Sequence, residues 1–486
     1  MIPTLIPNWI NGREVPAQAG EEFPKLSPHD GVQLCRVVRS RAADVAAAVS
    51  AACSAQSLWA ETPPVQRGLL LHALVRKLQD NAEAVAQVVA RETGKSLRDA
   101  RGETGGAIQL GLFYVGEGQR LYGRTTTSGV PNRVAMTLRQ PIGVAGLIIA
   151  ANTPIANVAW KVFPALVCGN TAVLKAAEDT PATAWIFGRL AAEGGLPPGV
   201  LNIVQGFGPE AGEPLVEHPA VGVVSFTGST KVGKIIQQKA GARLARVSLE
   251  LGGKNPLVVC DDADLDNAVE WTVRSAFSNA GQRCAAASRL VVFDTVYGEF
   301  RSRLLTKTQQ LKVGPSDADD FGPVINERQL GNILHAVEEA RRAGGSVLHG
   351  GHRLVDPAHV RGFYMAPTLL EDVSPEDPIS RTELFGPVAI LYCVKDYAEA
   401  LALANASPYG LTACIHTRDF SRALHFCQKV QAGVAVVNAG TYGSEPHLPF
   451  GGHKQSGNGS REPGTEGLDV YSELKNVYLN IAPAGL

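Results

Sequence analysis

From residue 141 onward the chain alternates short apolar runs with amphipathic helical stretches, and this alternation constrains the fold more than any other feature. VAGLIIAA, TAVLKA, VLNIVQG and VGVVSF read as strands buried on both faces, and segments such as TPATAWIFGRLAAEGG carry apolar residues at helical spacing. Strands and helices taking turns build βαβ units around a parallel sheet. The rhythm returns in NPLVVC, ADLDNAVEWTVRSAFSNAG and RLVVFD, and again in YGLTACIHT and GVAVVN. At 486 residues the chain exceeds what one hydrophobic core serves. Two α/β domains are therefore expected, with a boundary near residue 250. Residues 41–110 are rich in Ala, Arg, Leu and Glu at helical spacing and read as a helical region. Near the C-terminus, VYSELKNVYLNI reads as an exposed amphipathic strand that needs a partner along its edge.

Charge and cysteine usage exclude several classes. A formal net charge of −1, with no dense Lys/Arg run, gives no electrostatic case for nucleic acid or an acidic membrane surface. The eight cysteines are scattered, with no C-x-x-C and no histidine at zinc-finger spacing, so neither a metal nor a disulfide framework is expected. The opening MIPTLIPNWINGREV lacks the basic start of a secretory signal, and PIGVAGLIIAANTP is too short to span a bilayer. A reducing, cytoplasmic setting is the expectation.

Three local patterns could carry chemistry. VGVVSFTGSTKVGKIIQQKAG is a buried strand, a tight turn at Gly228 and an amphipathic helix. A helix start reached through glycine favours anions, because its free N–H groups and its dipole both point at the ligand. Gly228 to Lys234 matches the first seven positions of a Walker A loop, but Ile235 stands where magnesium needs a hydroxyl. The G-x-G-x-x-G fingerprint is also absent. In VSLELGGKNP, Glu250 sits between Leu249 and Leu251, and apolar company would raise its pKa toward the range of a general base. An ion-paired structural carboxylate is the other reading. In SNAGQRCAAASR, Cys284 is followed by three alanines that leave space around the sulfur. A free cysteine most often behaves as a small hydrophobe, so the local sequence alone leans toward packing.

Taken in order, PIGVAGLIIAANTP, AWKVFPALVCGNTAVLKAAEDTP, FTGSTKVG, LELGGKNP, NAGQRC, ELFGPV and LPFGGHKQSGNG resemble the signature blocks of the NAD(P)-dependent aldehyde dehydrogenase superfamily, of the hydrolytic, non-acylating type. The resemblance runs from about residue 8 to residue 481. It implies that Cys284 is the nucleophile and that Asn152, with the Cys284 backbone N–H, faces the tetrahedral oxygen. Glu250 would activate the water that hydrolyses the thioester. It further implies that Lys175 and Glu178 hold the adenosine ribose, that Gly228, Ser229 and Gly233 lie at the pyrophosphate, and that Glu383 and Phe385 position the nicotinamide riboside. A carboxylate at Glu178 favours NAD, although NADP can enter if that side chain swings away. The implied architecture is a Rossmann-like NAD-binding domain (1–122 and 142–249), an α/β catalytic domain (250–464) and a small β oligomerisation ribbon (123–141 and 465–486). A homodimer or homotetramer acting on a small aldehyde follows.

Two departures bear on the substrate. The family usually has an aromatic on each side of the asparagine, and here Ala151 and Thr153 take those places. This suggests a wider or more polar pocket. Arg283 precedes the nucleophile, as in branches whose aldehydes bear an anionic group. There it could pair with an anionic tail and lower the thiol pKa, or form a structural ion pair instead. Tyr442 and His447 fall in the segment that resembles the substrate-anchor loop, at the expected pocket mouth. The substrate expected is a semialdehyde with a distal acid group. The alternatives are a broad-range neutral aliphatic or aromatic aldehyde dehydrogenase and a coenzyme-A-acylating branch, which the presence of Glu250 disfavours. A cysteine hydrolase would leave the cofactor set unexplained, and a non-catalytic paralogue would not keep every reactive residue.

Overall fold

The computed structural model describes residues 2–481; residues 482–486 of the expected ribbon lie outside them. Two seven-stranded sheets dominate the architecture. The first runs in the order Arg246–Glu250, Val221–Thr227, Val144–Ile148, Thr171–Lys175, Leu201–Val204, Asn8–Ile10 and Arg13–Val15. Its first five strands are parallel, and the last two add on antiparallel. The second runs in the order Ser346–His349, Thr368–Glu371, Val388–Val394, Ala287–Phe293, Asn255–Val259, Thr412–His416 and Val434–Val437, all parallel except the first. The chain passes from one sheet to the other across residues 251–254. No helix among the described residues is long and apolar enough to cross a membrane.

The strands read as continuous apolar runs because helices cover both of their faces. Val144–Ile148, Thr171–Lys175 and Asn255–Val259 are buried at every position. Helix starts follow local chemistry. The Ser96 hydroxyl accepts from Asp99 N–H at 3.1 Å to begin Leu97–Glu117, and Asp264 caps Leu265–Phe277. The helical region expected over 41–110 is four helices, Ala42–Glu61, Pro64–Asp80, Ala82–Thr93 and Leu97–Glu117.

The N-terminal strands carry no clear period-2 signal, being only two to six residues long, and they were not foreseen. Trp9 joins the first sheet by pairing with Ile203. VYSELKNVYLNI does find its partner: Ser472–Asn480 pairs antiparallel with Arg133–Pro141 along its length, and Thr125–Thr127 completes a three-stranded ribbon. Leu474, Tyr478, Leu479, Val134 and Leu138 remain exposed on it.

Candidate active site

The parallel register of the first sheet gathers four of the expected residues at one edge. Ile148 is level with Lys175 and with Phe226, and Thr227 is level with Glu250. Asn152, Lys175, Gly228 and Glu250 therefore leave the carboxyl ends of neighbouring strands, where open α/β sheets bind their ligands. The second sheet contributes from its opposite edge. Cys284 lies in the loop that enters Ala287–Phe293, and Glu383 and Phe385 lie in the loop that enters Val388–Val394. Between the two sheets is a cavity of about 820 Å³. Cys284, Asn152, Glu250, Gly228, Ser229, Glu383, Phe385, Arg283 and Tyr442 all line it; Lys175, Glu178, Gly233 and His447 do not.

The cysteine loop is held by strain and by hydrogen bonds. Asn279, Ala280 and Gly281 are all left-handed, at φ 53°, 53° and 66°. Such a conformation costs about 1–3 kcal/mol for a residue like alanine and persists only when its surroundings enforce it. Gln282 provides that enforcement: it donates to the Asn279 and Pro323 carbonyls and accepts from Ile325 N–H at 2.9 Å. The Cys284 carbonyl accepts from Asn255 Nδ2 at 2.7 Å, and the Ala285 carbonyl from Thr441 Oγ1 at 2.6 Å. Asn152 Nδ2 donates one hydrogen to the Gln282 carbonyl at 3.2 Å, which leaves its second hydrogen for the cavity.

Sequence reasoning missed the clamp behind Asn152. Lys95 Nζ donates to the Asn152 carbonyl at 2.7 Å and to Glu103 Oε2 at 2.5 Å. The other oxygen of Glu103 accepts from Ile155 and Ala156 N–H, at the start of the helix Pro154–Val167. Both side chains are almost fully buried. Nothing local marks them, because Lys95 and Glu103 look like ordinary helix-surface charges until the fold buries them against each other.

Glu250 is buried, and neither carboxylate oxygen has a hydrogen-bond partner among the described residues. Burial first, and the neighbouring Glu462 second, push its pKa well above the ordinary carboxyl value, while Lys161 and Arg461 oppose the shift. A methyl on Gly451 would lie 2.9 Å from Glu250 Oε1, so glycine there gives the carboxylate room. At Cys284 the Arg283 charge lowers the thiol pKa, as expected, but is outweighed. Burial, then Glu383 and Glu250, push its thiol up to about 12, and the Arg283 charge is the weakest influence on it. The guanidinium beside the sulfur does not prevail because desolvation and two carboxylates all disfavour the thiolate.

The remaining expected residues form a cradle suited to a dinucleotide. Ser229 caps the helix Thr230–Gly241, and its hydroxyl accepts from Val232 N–H. A methyl on Gly233 would lie 2.5 Å from Leu251 Cδ2, so the helix approaches the sheet edge as closely as only glycine allows. The buried Thr227 hydroxyl at this edge has no partner among the described residues. Lys175 Nζ sits 3.1 Å from Glu178 Oε2; burial raises the Glu178 carboxyl, but Lys175 and the backbone hold it below its usual value on balance. Glu383 accepts from Gly253 N–H at 3.1 Å, and burial pushes it up to about 7. A methyl on Gly252 would lie 1.9 Å from Glu383 Oε2. Phe385 takes a left-handed φ of 56°, strained for an aromatic residue, at the cavity wall. A helix start open to anions, a carboxylate for hydroxyls and a second carboxylate across the cavity fit a dinucleotide with a riboside at its far end.

Arg283 makes no ion pair among the described residues. Its guanidinium lies over the Tyr442 ring at 4.9 Å, and its buried Nε has no partner. Tyr442 in turn packs edge-on against Trp271. His447 departs from expectation: its ring stands at the surface, 3.8 Å from Glu445, and does not reach the cavity wall. The turn 444–449 is exposed at five of six positions, which carries His447 outward. The cavity wall has Thr153 and Ala156 beside Asn152, with Trp160 and Phe450 edge-to-face at 5.4 Å.

Residues 15–477 match the model of the aldehyde dehydrogenase family. The chain belongs to that family. It is 39% identical over 475 residues to the alpha-ketoglutaric semialdehyde dehydrogenase of Bacillus subtilis (strain 168), covering 97% of each chain. It is also 39% identical over 481 residues to retinaldehyde dehydrogenase 3 of Mus musculus, covering 97% of this chain and 92% of the other. A structure of betaine aldehyde dehydrogenase from Staphylococcus aureus in complex with NAD+ superposes with a TM-score of 0.96 at 30% identity, covering 98% of both chains. The sheets, the cleft between them and the cysteine loop described above are thus those of an aldehyde dehydrogenase.

Proposed function

We propose that this aldehyde dehydrogenase oxidises an aldehyde with an anionic tail to its carboxylic acid, using Cys284 as nucleophile and NAD as acceptor. The observation that carries the substrate class is Arg283, which lines the cavity, makes no ion pair among the described residues and keeps its buried Nε without a partner there. A guanidinium so placed pairs best with a carboxylate. The alpha-ketoglutaric semialdehyde relative supports the same reading, whereas the retinaldehyde relative at equal identity keeps a neutral aldehyde as the alternative.

The chemistry follows from the residues. The Cys284 thiol gives its proton to the Glu250 carboxylate, which sits in the same cavity and whose burial favours taking one. The sulfur adds to the aldehyde carbon and forms a thiohemiacetal. Its oxyanion is met by the free hydrogen of Asn152 Nδ2 and by the Cys284 N–H, which makes no hydrogen bond of its own among the described residues. NAD, when bound, accepts the hydride that leaves this carbon. Lys175 and Glu178 would hold its adenosine ribose, Gly228, Ser229 and Gly233 its pyrophosphate, and Glu383 and Phe385 the nicotinamide riboside. Glu250 releases this first proton to solvent, then takes a proton from the water that attacks the thioester and returns it to the departing Cys284 sulfur, so that the acid and the thiol are released.

The division into a cofactor domain, a catalytic domain and a ribbon is supported by the two large sheets and the three-stranded sheet. The exposed apolar residues of that ribbon support a dimer or tetramer, and eight free cysteines support a cytoplasmic setting. The test is NADH formation with matched aldehydes, with and without a terminal carboxylate, each with NAD or NADP and with or without coenzyme A. The acidic members should be preferred, and Arg283→Ala should remove the preference. Equal rates with neutral aldehydes would refute the anionic tail, and a requirement for coenzyme A would refute the role of Glu250.

A further inference from the structure

The carboxylate of Glu178 stands on a turn that the other half of the molecule holds. Thr180 N–H donates to the Ala177 carbonyl at 3.0 Å, so residues 177–180 form a β-turn with Glu178 and Asp179 at its two central positions. These two residues share one planar peptide unit, and a rotation of that unit carries both side chains with it. Asp179 Oδ2 accepts from Asn326 Nδ2 at 2.9 Å. Asn326 belongs to the other α/β unit, where it caps the helix Glu327–Arg342: its Oδ1 accepts from Gln329 N–H at 2.9 Å. Leu330, Ile333 and Val337 of that helix are buried in one core with Val291 and Ile390 of the second sheet. The helix start is tied down on both sides of Asn326. Ile325 N–H donates to Gln282 Oε1 at 2.9 Å, and Gln329 Nε2 donates to the Leu384 carbonyl at 2.6 Å. Neither Asp179 nor Asn326 lines the cavity.

We propose that Asn326 is a positioning residue for cofactor choice: by pinning Asp179 it keeps Glu178 turned to the adenosine ribose, and the preference for NAD over NADP depends on it. This rests on Glu178 holding that ribose. A carboxylate repels a 2′-phosphate only while it stays in place. Lys175 Nζ, 3.1 Å from Glu178 Oε2, does not by itself keep it there, because the same ammonium would pair with the phosphate once Glu178 turned away. The restraint that a phosphate cannot replace is the one on Asp179, and it comes from a helix start that is itself held at three points.

The test measures kcat/KM for NAD and for NADP in full-length Asn326→Ser, Asp179→Asn, Glu178→Gln and the double variant Asn326→Ser with Glu178→Gln. Serine caps a helix as well as asparagine does but is too short to bring a donor to Asp179, so the thermal midpoint should fall little. The NADP-to-NAD ratio of Asn326→Ser should rise about fivefold, the factor that one hydrogen bond confers. Asp179→Asn keeps an oxygen for Asn326 and should hold the wild-type ratio; a rise there would assign the effect to the charge of Asp179 and overturn the inference. In the double variant Asn326→Ser should add nothing to Glu178→Gln, because no carboxylate is left to position; an additive rise would overturn the inference. So would an unchanged ratio in Asn326→Ser, or an equal loss with both cofactors, and a raised ratio in Glu178→Gln would then leave the reading of Glu178 standing. An unchanged ratio in Glu178→Gln would overturn both.

Discussion

Glu250→Gln separates the catalytic use of this carboxylate from its cost to the fold. Both oxygens of Glu250 are buried without partners, and burial lifts its pKa well above its ordinary 4.5. The folded protein therefore keeps a proton on Glu250 over a pH range in which the unfolded chain has lost it. The stability that this proton confers is fully present below the unfolded pKa and is lost as pH rises toward the folded one. The loss amounts to about 1.4 kcal/mol for each pH unit within that window. Glutamine does not titrate, so the stability of the variant relative to the wild type should climb with pH at about that slope and level off once the folded carboxyl ionises. Groups that do not interact with Glu250 titrate alike in both proteins and cancel. Urea-unfolding midpoints of the two proteins, taken from about pH 5 to pH 8, read the difference directly. Turnover should move the other way. Without the base that takes the thiol proton and later the proton of water, the variant should give neither a burst of NADH nor sustained turnover. A stability difference that does not vary with pH would refute the buried, unpartnered carboxylate. Sustained turnover by the variant would refute its role with water.

The wild-type kcat/KM should rise with pH through a limb that lies above the ordinary carboxyl range, because Glu250 must be ionised to accept the thiol proton; a limb near the ordinary value would contradict the burial argument. Lys95→Met should destabilise the protein by about 3–5 kcal/mol by stranding Glu103. Lys95→Met with Glu103→Gln should recover most of that in thermal unfolding while kcat stays low and KM changes little, which a merely structural role would not give. Glu178→Gln should raise the NADP-to-NAD ratio of kcat/KM by about tenfold or more, since a carboxylate beside a 2′-phosphate costs several kcal/mol. Cys284→Ala should abolish turnover but keep NAD binding, measured by calorimetry; residual dehydrogenase activity would move the nucleophile elsewhere.

The fold was legible where burial writes itself as a pattern. Val144–Ile148 and Asn255–Val259 are covered on both faces, so each reads as an unbroken apolar run, and the helices between them keep their period. The short strands before residue 38 were not legible, since Asn8–Ile10 offers three residues and owes its place to pairing with Leu201–Val204, far away in sequence. The site divides in the same way. Gly228 and Glu250 could be placed because each ends a strand of a parallel sheet, and the register then carries them to one edge. His447 could not be placed, because it sits in an irregular turn whose direction no periodicity fixes.

Charge gave the least legible layer, and the reason is physical. An arginine next to a cysteine reads, in sequence, as a thiol made acidic; in the fold the shift is upward, because desolvation and the carboxylates of Glu383 and Glu250 outweigh the guanidinium, which lies over Tyr442. The same holds for Lys95 and Glu103, whose charges have meaning only as a buried pair gripping the backbone at Asn152. Residue type announces which chemistry is possible, but the sign of a pKa shift depends on how much water the fold removes, which no local spacing encodes.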